Sequence, residues 1–285
     1  MAYQLISTVR KCLMPLEIVV KAKDPSAYAE RKALAERVVA TSAAPLPNSR
    51  LLCFFDDEDC LGVKDKAGRA NRGFYATVRK GNPLWTDLPT EVTSYVLYGG
   101  RPVDSIPLTS PMPAFDHLVY LHGSTCSNEV GLTMTFAHEL QHFLQHERAL
   151  RLWAENTVAI HTLKHALNKA NIESLGIRWC DIPIEREARI VARRTAEGLF
   201  RVDRVRQYID TKADERVTEQ DAADWKCIRD LDILVPYDLA AETKLFFQRL
   251  KGYRRQIERS IQYLGRDDPD FTDVDLDALL NATSE

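Results

Sequence analysis

The chain of 285 residues is 45% hydrophobic and 28% charged with a net charge of −3, an ordinary globular composition that leaves room for one or two domains and excludes a low-complexity or fibrous polymer. Its basic residues are interleaved with acidic ones, so nucleic acid is not an expected partner. No apolar run approaches the length of a membrane span, and the first twenty residues, with Arg10 and Lys11 in the middle, lack the apolar core of a secretory signal.

Leu16 to Lys21, LEIVVK, is a β-branched run bounded by prolines and reads as a strand. Ser26 to Thr41 follows with Tyr28, Leu34, Val38 and Val39 at helical spacing. Leu51 to Phe55, LLCFF, suits a buried strand, and the acidic DDED after it is expected to be solvated. Phe74 to Val78 and Thr93 to Tyr98 carry high β-propensity and are predicted as two further strands, with an irregular Gly- and Pro-rich stretch from Gly99 to Pro113. His117 to Leu121 gives a last strand.

The next stretch, Thr133 to Glu147, contains His138-Glu139-Leu140-Gln141-His142, the spacing H-E-x-x-H. In a helix the two histidines lie one turn apart on one face, so both imidazoles can bind one metal ion with Glu139 beside them as a general base. Phe136, Leu140, Phe143 and Leu144 recur at helical spacing, as a buried helix requires. All seven histidines fall between His117 and His165, which agrees with a metal-binding region. The six cysteines contain no C-x-x-C pair and are expected to be mostly free thiols in a reducing, cytoplasmic setting.

Beyond His146 the chain reads as helical: Arg148 to Asn171, a helix from Pro183 through IEREARIVARRTAEGLF, another over Val217 to Asp230, and a long one from Tyr237 to Leu264. The expected organisation is an α+β part over 1–147, a helical part over 148–265, and an acidic, mobile tail over 266–285.

A catalytic zinc takes three protein ligands and one open position, so a third ligand must come from outside the motif. Glu185 and Glu187 compete for the role. They are two apart and so about 200° apart around a helix, which prevents both from facing one ion. Glu185 shares its face with the small residues Ala188 and Ala192, which allow close approach to the motif helix; Glu187 shares its face with Ile190 and Arg194, which suits a rim. Glu185 is therefore favoured, although an i,i+4 ion pair with Arg189 in solvent is the plainer use of that carboxylate. His161 and His165, also four apart, are a further option, and His146 continues the series one turn past His142.

His138-Glu139-x-x-His142 followed by Glu185-x-x-Ala188 resembles the gluzincin metallopeptidases, in particular the compact ImmA/IrrE-like group. The resemblance covers roughly residues 115 to 200 and departs from the pattern in its longer spacing and in Arg189. It implies a small twisted sheet with a backing helix (Ser26 to Thr41) and an active-site helix, and an edge strand (His117 to Leu121) along a peptide or protein substrate. The expected activity is zinc-dependent peptide hydrolysis with His138, His142 and Glu185 on Zn2+ and Glu139 as base. Tyr120, His161 or His165 would be a second oxyanion donor. The alternative is an inactive zincin-like interaction module.

Overall fold

The computed structural model describes residues 16–22, 24–41, 49–56, 73–78, 90–99, 114–126, 128–152, 176–214, 219–252 and 255. Packing divides the chain into two units, Met1–Leu140 and Gln141–Glu285. The architecture is α+β, with the described strands confined to the first unit.

In the first unit, strands β1 (Leu16–Lys21), β2 (Leu51–Asp56), β3 (Gly73–Thr77) and β4 (His117–His122) form a sheet of order β1-β2-β4-β3. Strand β2 is parallel to both β1 and β4, and β3 is antiparallel to β4. Helix α1 (Pro25–Thr41) supplies the long crossover that a parallel β1–β2 pair requires. The two inner strands are buried at every position, which is why they read as continuous apolar runs rather than as alternating ones. On one face Leu52, Phe54, Leu118 and Tyr120 pack with Val92 and Val96 of helix α2 (Thr90–Tyr98). Rings of Phe74, Tyr120 and Phe54 stack across β3, β4 and β2 at 5.3 and 6.1 Å between centroids. Phe55, turned to the opposite face, meets Phe136 edge-on at 5.2 Å.

Three expectations are corrected here. Thr93 to Tyr98 is helical, not a strand: its β-branched residues favour extended backbone, but Val92 and Val96 are four apart and both fully buried on the sheet. The helix ends at Gly99, φ +63°, whose N–H donates to the Tyr95 carbonyl. Second, His117 to Leu121 is not at an edge, because β3 returns antiparallel along it; the edges of the described sheet are β1 and β3. Close approach there needs Gly73, where a Cβ would come within 2.6 Å of a Leu121 methyl and 2.9 Å of the Tyr120 carbonyl oxygen. Third, Asp56, the first of the DDED acids, is buried rather than solvated. Strand β2 continues through it beside His122, on the face that carries Tyr120, whose hydroxyl donates to Asp56 Oδ2 at 2.7 Å.

The second unit is helical. A 3-10 turn, Trp179–Asp181, leads into helix α5 (Pro183–Leu199), which has Pro183 in its first turn as expected. Phe200 is extended and separates this helix from α6 (Val202–Asp214). Helices α7 (Glu219–Arg229) and α8 (Leu239–Lys251) follow, the latter capped by Asp238, which accepts from the N–H groups of Ala240 and Ala241. Tyr208 of α6 and Trp225 of α7 meet edge-on at 5.6 Å. Arg193 of α5 is buried and donates to the carbonyls of Ile228, Arg229 and Leu231, which close the end of α7. Arg194 likewise holds the carbonyls of Ile233 and Val235.

Cys180 and Cys227 form a disulfide between the 3-10 turn and α7, which corrects the expectation of free thiols for this pair: packing of α7 against the turn brings together residues 47 apart in sequence. Cys53 is a buried free thiol, and Cys126 is buried as well. The expected helices over Arg148 to Asn171 and Tyr237 to Leu264 are described only as far as Leu152 and over Leu239–Lys251; their remainders, positions 100–113 of the stretch expected to be irregular and the tail 266–285 lie outside the described residues, apart from Arg255. Among the described residues no helix is long and apolar enough to cross a membrane.

Candidate metal centre

After the short helix α3 (Gly123–Cys126), helix α4 (Glu129–Leu152) carries the H-E-x-x-H spacing. It begins at Asn128, whose side-chain oxygen accepts from the N–H groups of Val130 and Gly131 at 2.9 and 3.1 Å. Glu129 in the first turn suits the positive end of the helix dipole. Apolar side chains at Val130, Leu132, Met134, Phe136, Ala137, Leu140, Phe143 and Leu144 are buried, and so are Glu139, Gln141, His142, Gln145 and Glu147. Burying that many polar groups on one helix is costly unless each finds a partner. For Gln141, His142 and Gln145 the partners come from α5.

Glu185, in the first turn of α5, brings its Oε1 to 3.3 Å from His142 Nε2, with both side chains at most 5% exposed. His138 lies one turn earlier on the unbroken helix α4, and one ligand atom from each of His138, His142 and Glu185 falls within 4.8 Å of the others. Two ligand atoms about 2.0–2.1 Å from one tetrahedral zinc stand about 3.3–3.4 Å apart, so the His142–Glu185 spacing fits a shared metal ion. His142 and Glu185 are buried while His138 is only half-buried, which leaves the accessible side of the cluster next to His138. Two neutral nitrogens and one carboxylate oxygen are a zinc donor set.

Glu187 does not join the cluster. It is half-buried, and its Oε2 accepts from Gln141 Nε2 at 2.9 Å and Gln145 Nε2 at 2.8 Å. A glutamate arm is long enough to turn back along its helix to these two amide donors, one turn apart on α4. Gln145 Nε2 also donates to the Ile184 carbonyl at 2.9 Å, and Gln145 Oε1 lies 2.8 Å from His142 Nδ1.

The Glu185–Arg189 pair exists, with Arg189 donating to Glu185 Oε2 at 3.3 Å, but it is buried rather than solvated. The two oxygens of Glu185 are thus divided, Oε2 toward Arg189 and Oε1 toward His142. Arg189 also faces Asp224 of α7 at 3.9 Å, so the guanidinium has two carboxylates to offset its burial. Nearby on the second unit, burial and then the charges of Glu242 and Glu187 push the Tyr237 hydroxyl well above its ordinary range, so it stays a proton donor.

Glu139 is buried on α4 beside His138 and outside the ligand group, and His146, half-buried on the following turn, is also outside it. Tyr120 is withdrawn as an oxyanion donor, because its ring is fully buried in the sheet and its hydroxyl is given to Asp56. His161 and His165 lie outside the described residues. Gln145 in this supporting role was missed from sequence, whereas the Glu185–Arg189 pair was expected there, in solvent; Gln145, three residues after His142, lies on a neighbouring part of the same helix face. Protein-family models, curated proteins and solved structures give no match to this chain.

Proposed function

We propose that the protein is a zinc-dependent metallopeptidase, a hydrolase of peptide or protein substrates. The observation that carries the reading is the convergence of His138, His142 and Glu185 on one point, with ligand atoms within 4.8 Å of one another. Zinc held there would acidify a bound water and polarise the scissile carbonyl. His138 and His142 hold it as neutral imidazoles and Glu185 as a carboxylate, and the half-buried His138 side admits the substrate. Glu139, adjacent in sequence but not a ligand, accepts the proton of the attacking water and delivers it to the leaving nitrogen. A zincin-like fold and a cytoplasmic setting belong to the same reading, in which the Cys180–Cys227 disulfide is one that a reducing compartment would open.

A second reading is supported by Arg189. Arg189 and a protonated His142 set against Glu185 and Asp224 would balance two charges of each sign without metal and leave a zincin-like interaction module. Zinc stoichiometry together with hydrolysis of a mixed peptide library separates the two. The peptidase reading expects one zinc per chain and expects Glu139→Gln to retain that zinc while hydrolysis falls by about 10²–10⁴-fold, the usual worth of a general base. A Glu139→Gln protein that cleaves as fast as its parent, or a parent with no stoichiometric zinc, overturns it.

A further inference from the structure

Resting on the metal-centre reading, we propose that Gln145 is a positioning residue: anchored by Glu187 and the Ile184 carbonyl, it locks His142 in the tautomer that carries hydrogen on Nδ1 and presents the bare Nε2 to the metal. The amide can stand only one way round. Its nitrogen is within 2.8–2.9 Å of two groups that solely accept, the Glu187 carboxylate and the Ile184 carbonyl; reversed, its oxygen would oppose both. Both N–H groups are thereby used and the oxygen faces His142 Nδ1 at 2.8 Å. An amide oxygen only accepts, so Nδ1 must donate. The remaining ring nitrogen, Nε2, is the atom that lies 3.3 Å from Glu185 Oε1.

The anchor is a structure between helices rather than a local contact. Glu187 takes N–H groups from Gln141 and Gln145, one turn apart on α4, through a single oxygen. The same residue of α4 therefore fixes the seat of α5 and the direction of a ligand ring, and Glu185 is two residues from Glu187 on that seated helix. Gln145 is 2% exposed, so water does not readily replace it. A histidine ligand's other N–H is commonly fixed in this manner, and loss of such a partner costs about 10–100-fold in metal affinity.

Zinc affinity by competition with a chromogenic chelator is the test, on the full chain, with the parent, Gln145→Met, Glu187→Gln and Glu185→Ala. Gln145→Met is expected to keep one zinc per chain but bind it about 10–100-fold more weakly, Glu187→Gln to lie between it and the parent, and Glu185→Ala to lose more than either. Nitrogen-15 spectra of the parent histidines, which need no variant, are expected to show His142 protonated at Nδ1 both with zinc and without it. Zinc bound through Nδ1, or a Gln145→Met protein that binds zinc as tightly as the parent, overturns the positioning role and leaves the metal centre standing. A parent that binds no stoichiometric zinc overturns the metal centre itself.

Discussion

The two units bury their interiors by opposite means. In the first, Leu52, Phe54, Phe55, Leu118, Val119 and Leu121 are all fully buried hydrocarbon on β2 and β4. In the second, helix α5 buries Glu185, Arg189 and Arg193 beside its alanines, and each charge is matched by a named oxygen or guanidinium. Apolar area is non-directional, so the sheet tolerates any side chains of suitable volume. Buried charges are not tolerant, because an unpaired one costs several kcal/mol. The second interior is therefore the more constrained, and a binding role is the natural reason to keep such a constraint.

The largest stability effect should come from the hydrocarbon interior. Phe54→Ala removes a ring that stacks on Tyr120 and meets Tyr95 edge-on at 5.8 Å, and is expected to cost about 3–5 kcal/mol in denaturant unfolding. It should do so equally with and without zinc in the buffer. A loss below about 1 kcal/mol would mean that this core is far looser than its burial implies.

The second unit adds a covalent link to its polar interior. Cutting the Cys180–Cys227 disulfide, by Cys180→Ser with Cys227→Ser or by a dithiol, releases a loop closed over 47 residues and is expected to cost about 2–4 kcal/mol. Unfolding of the parent with and without the dithiol measures it. Thiol titration of the native, unreduced protein that finds both cysteines reactive would show the link absent and return the chain to the all-thiol expectation.

What could be read in advance follows the same division. The strands Leu16–Lys21, Leu51–Asp56 and His117–His122 declare themselves because their side chains and their neighbours' share one property, and helix α1 because its stripe is local. Thr93 to Tyr98 misled because β-branched residues carry a strand preference that two buried valines four apart outweighed. At the candidate site, the pairing of His138 with His142 is set by helix pitch and so needs no tertiary knowledge. Glu185 needed an assumption about which face of α5 turns toward α4. The anchoring of Gln145 could not be read, since its partners, Glu187 and the Ile184 carbonyl, are 42 and 39 residues away in sequence. Nor could the disulfide, because only the packing of α7 selects Cys227 as the partner of Cys180.

The smallest effect should come from a charged pair left at the surface of the hydrocarbon unit, which sharpens the contrast with Arg189–Glu185. Arg50, just before β2, grips Asp116, just before β4: its Nη2 donates to Oδ1 at 2.8 Å, and its Nε and backbone N–H donate to Oδ2 at 3.1 and 3.0 Å. Those donors hold the Asp116 carboxyl below the usual carboxylate range, against the opposing pull of partial burial. Both side chains are about two-fifths exposed, so solvent screening limits the pair to about half a kcal/mol or less. Because the folded carboxyl is the more acidic one, the unfolded chain takes up its proton first as pH falls from about 4. The stabilisation is thus complete above the ordinary carboxylate range and disappears as pH drops through the lower, folded value. Asp116→Asn should accordingly lower the unfolding midpoint slightly at neutral pH, and the gap from the parent should close on acidification. A gap that persists undiminished in acid would mean that the clamp works by shape and neutral hydrogen bonding rather than by charge.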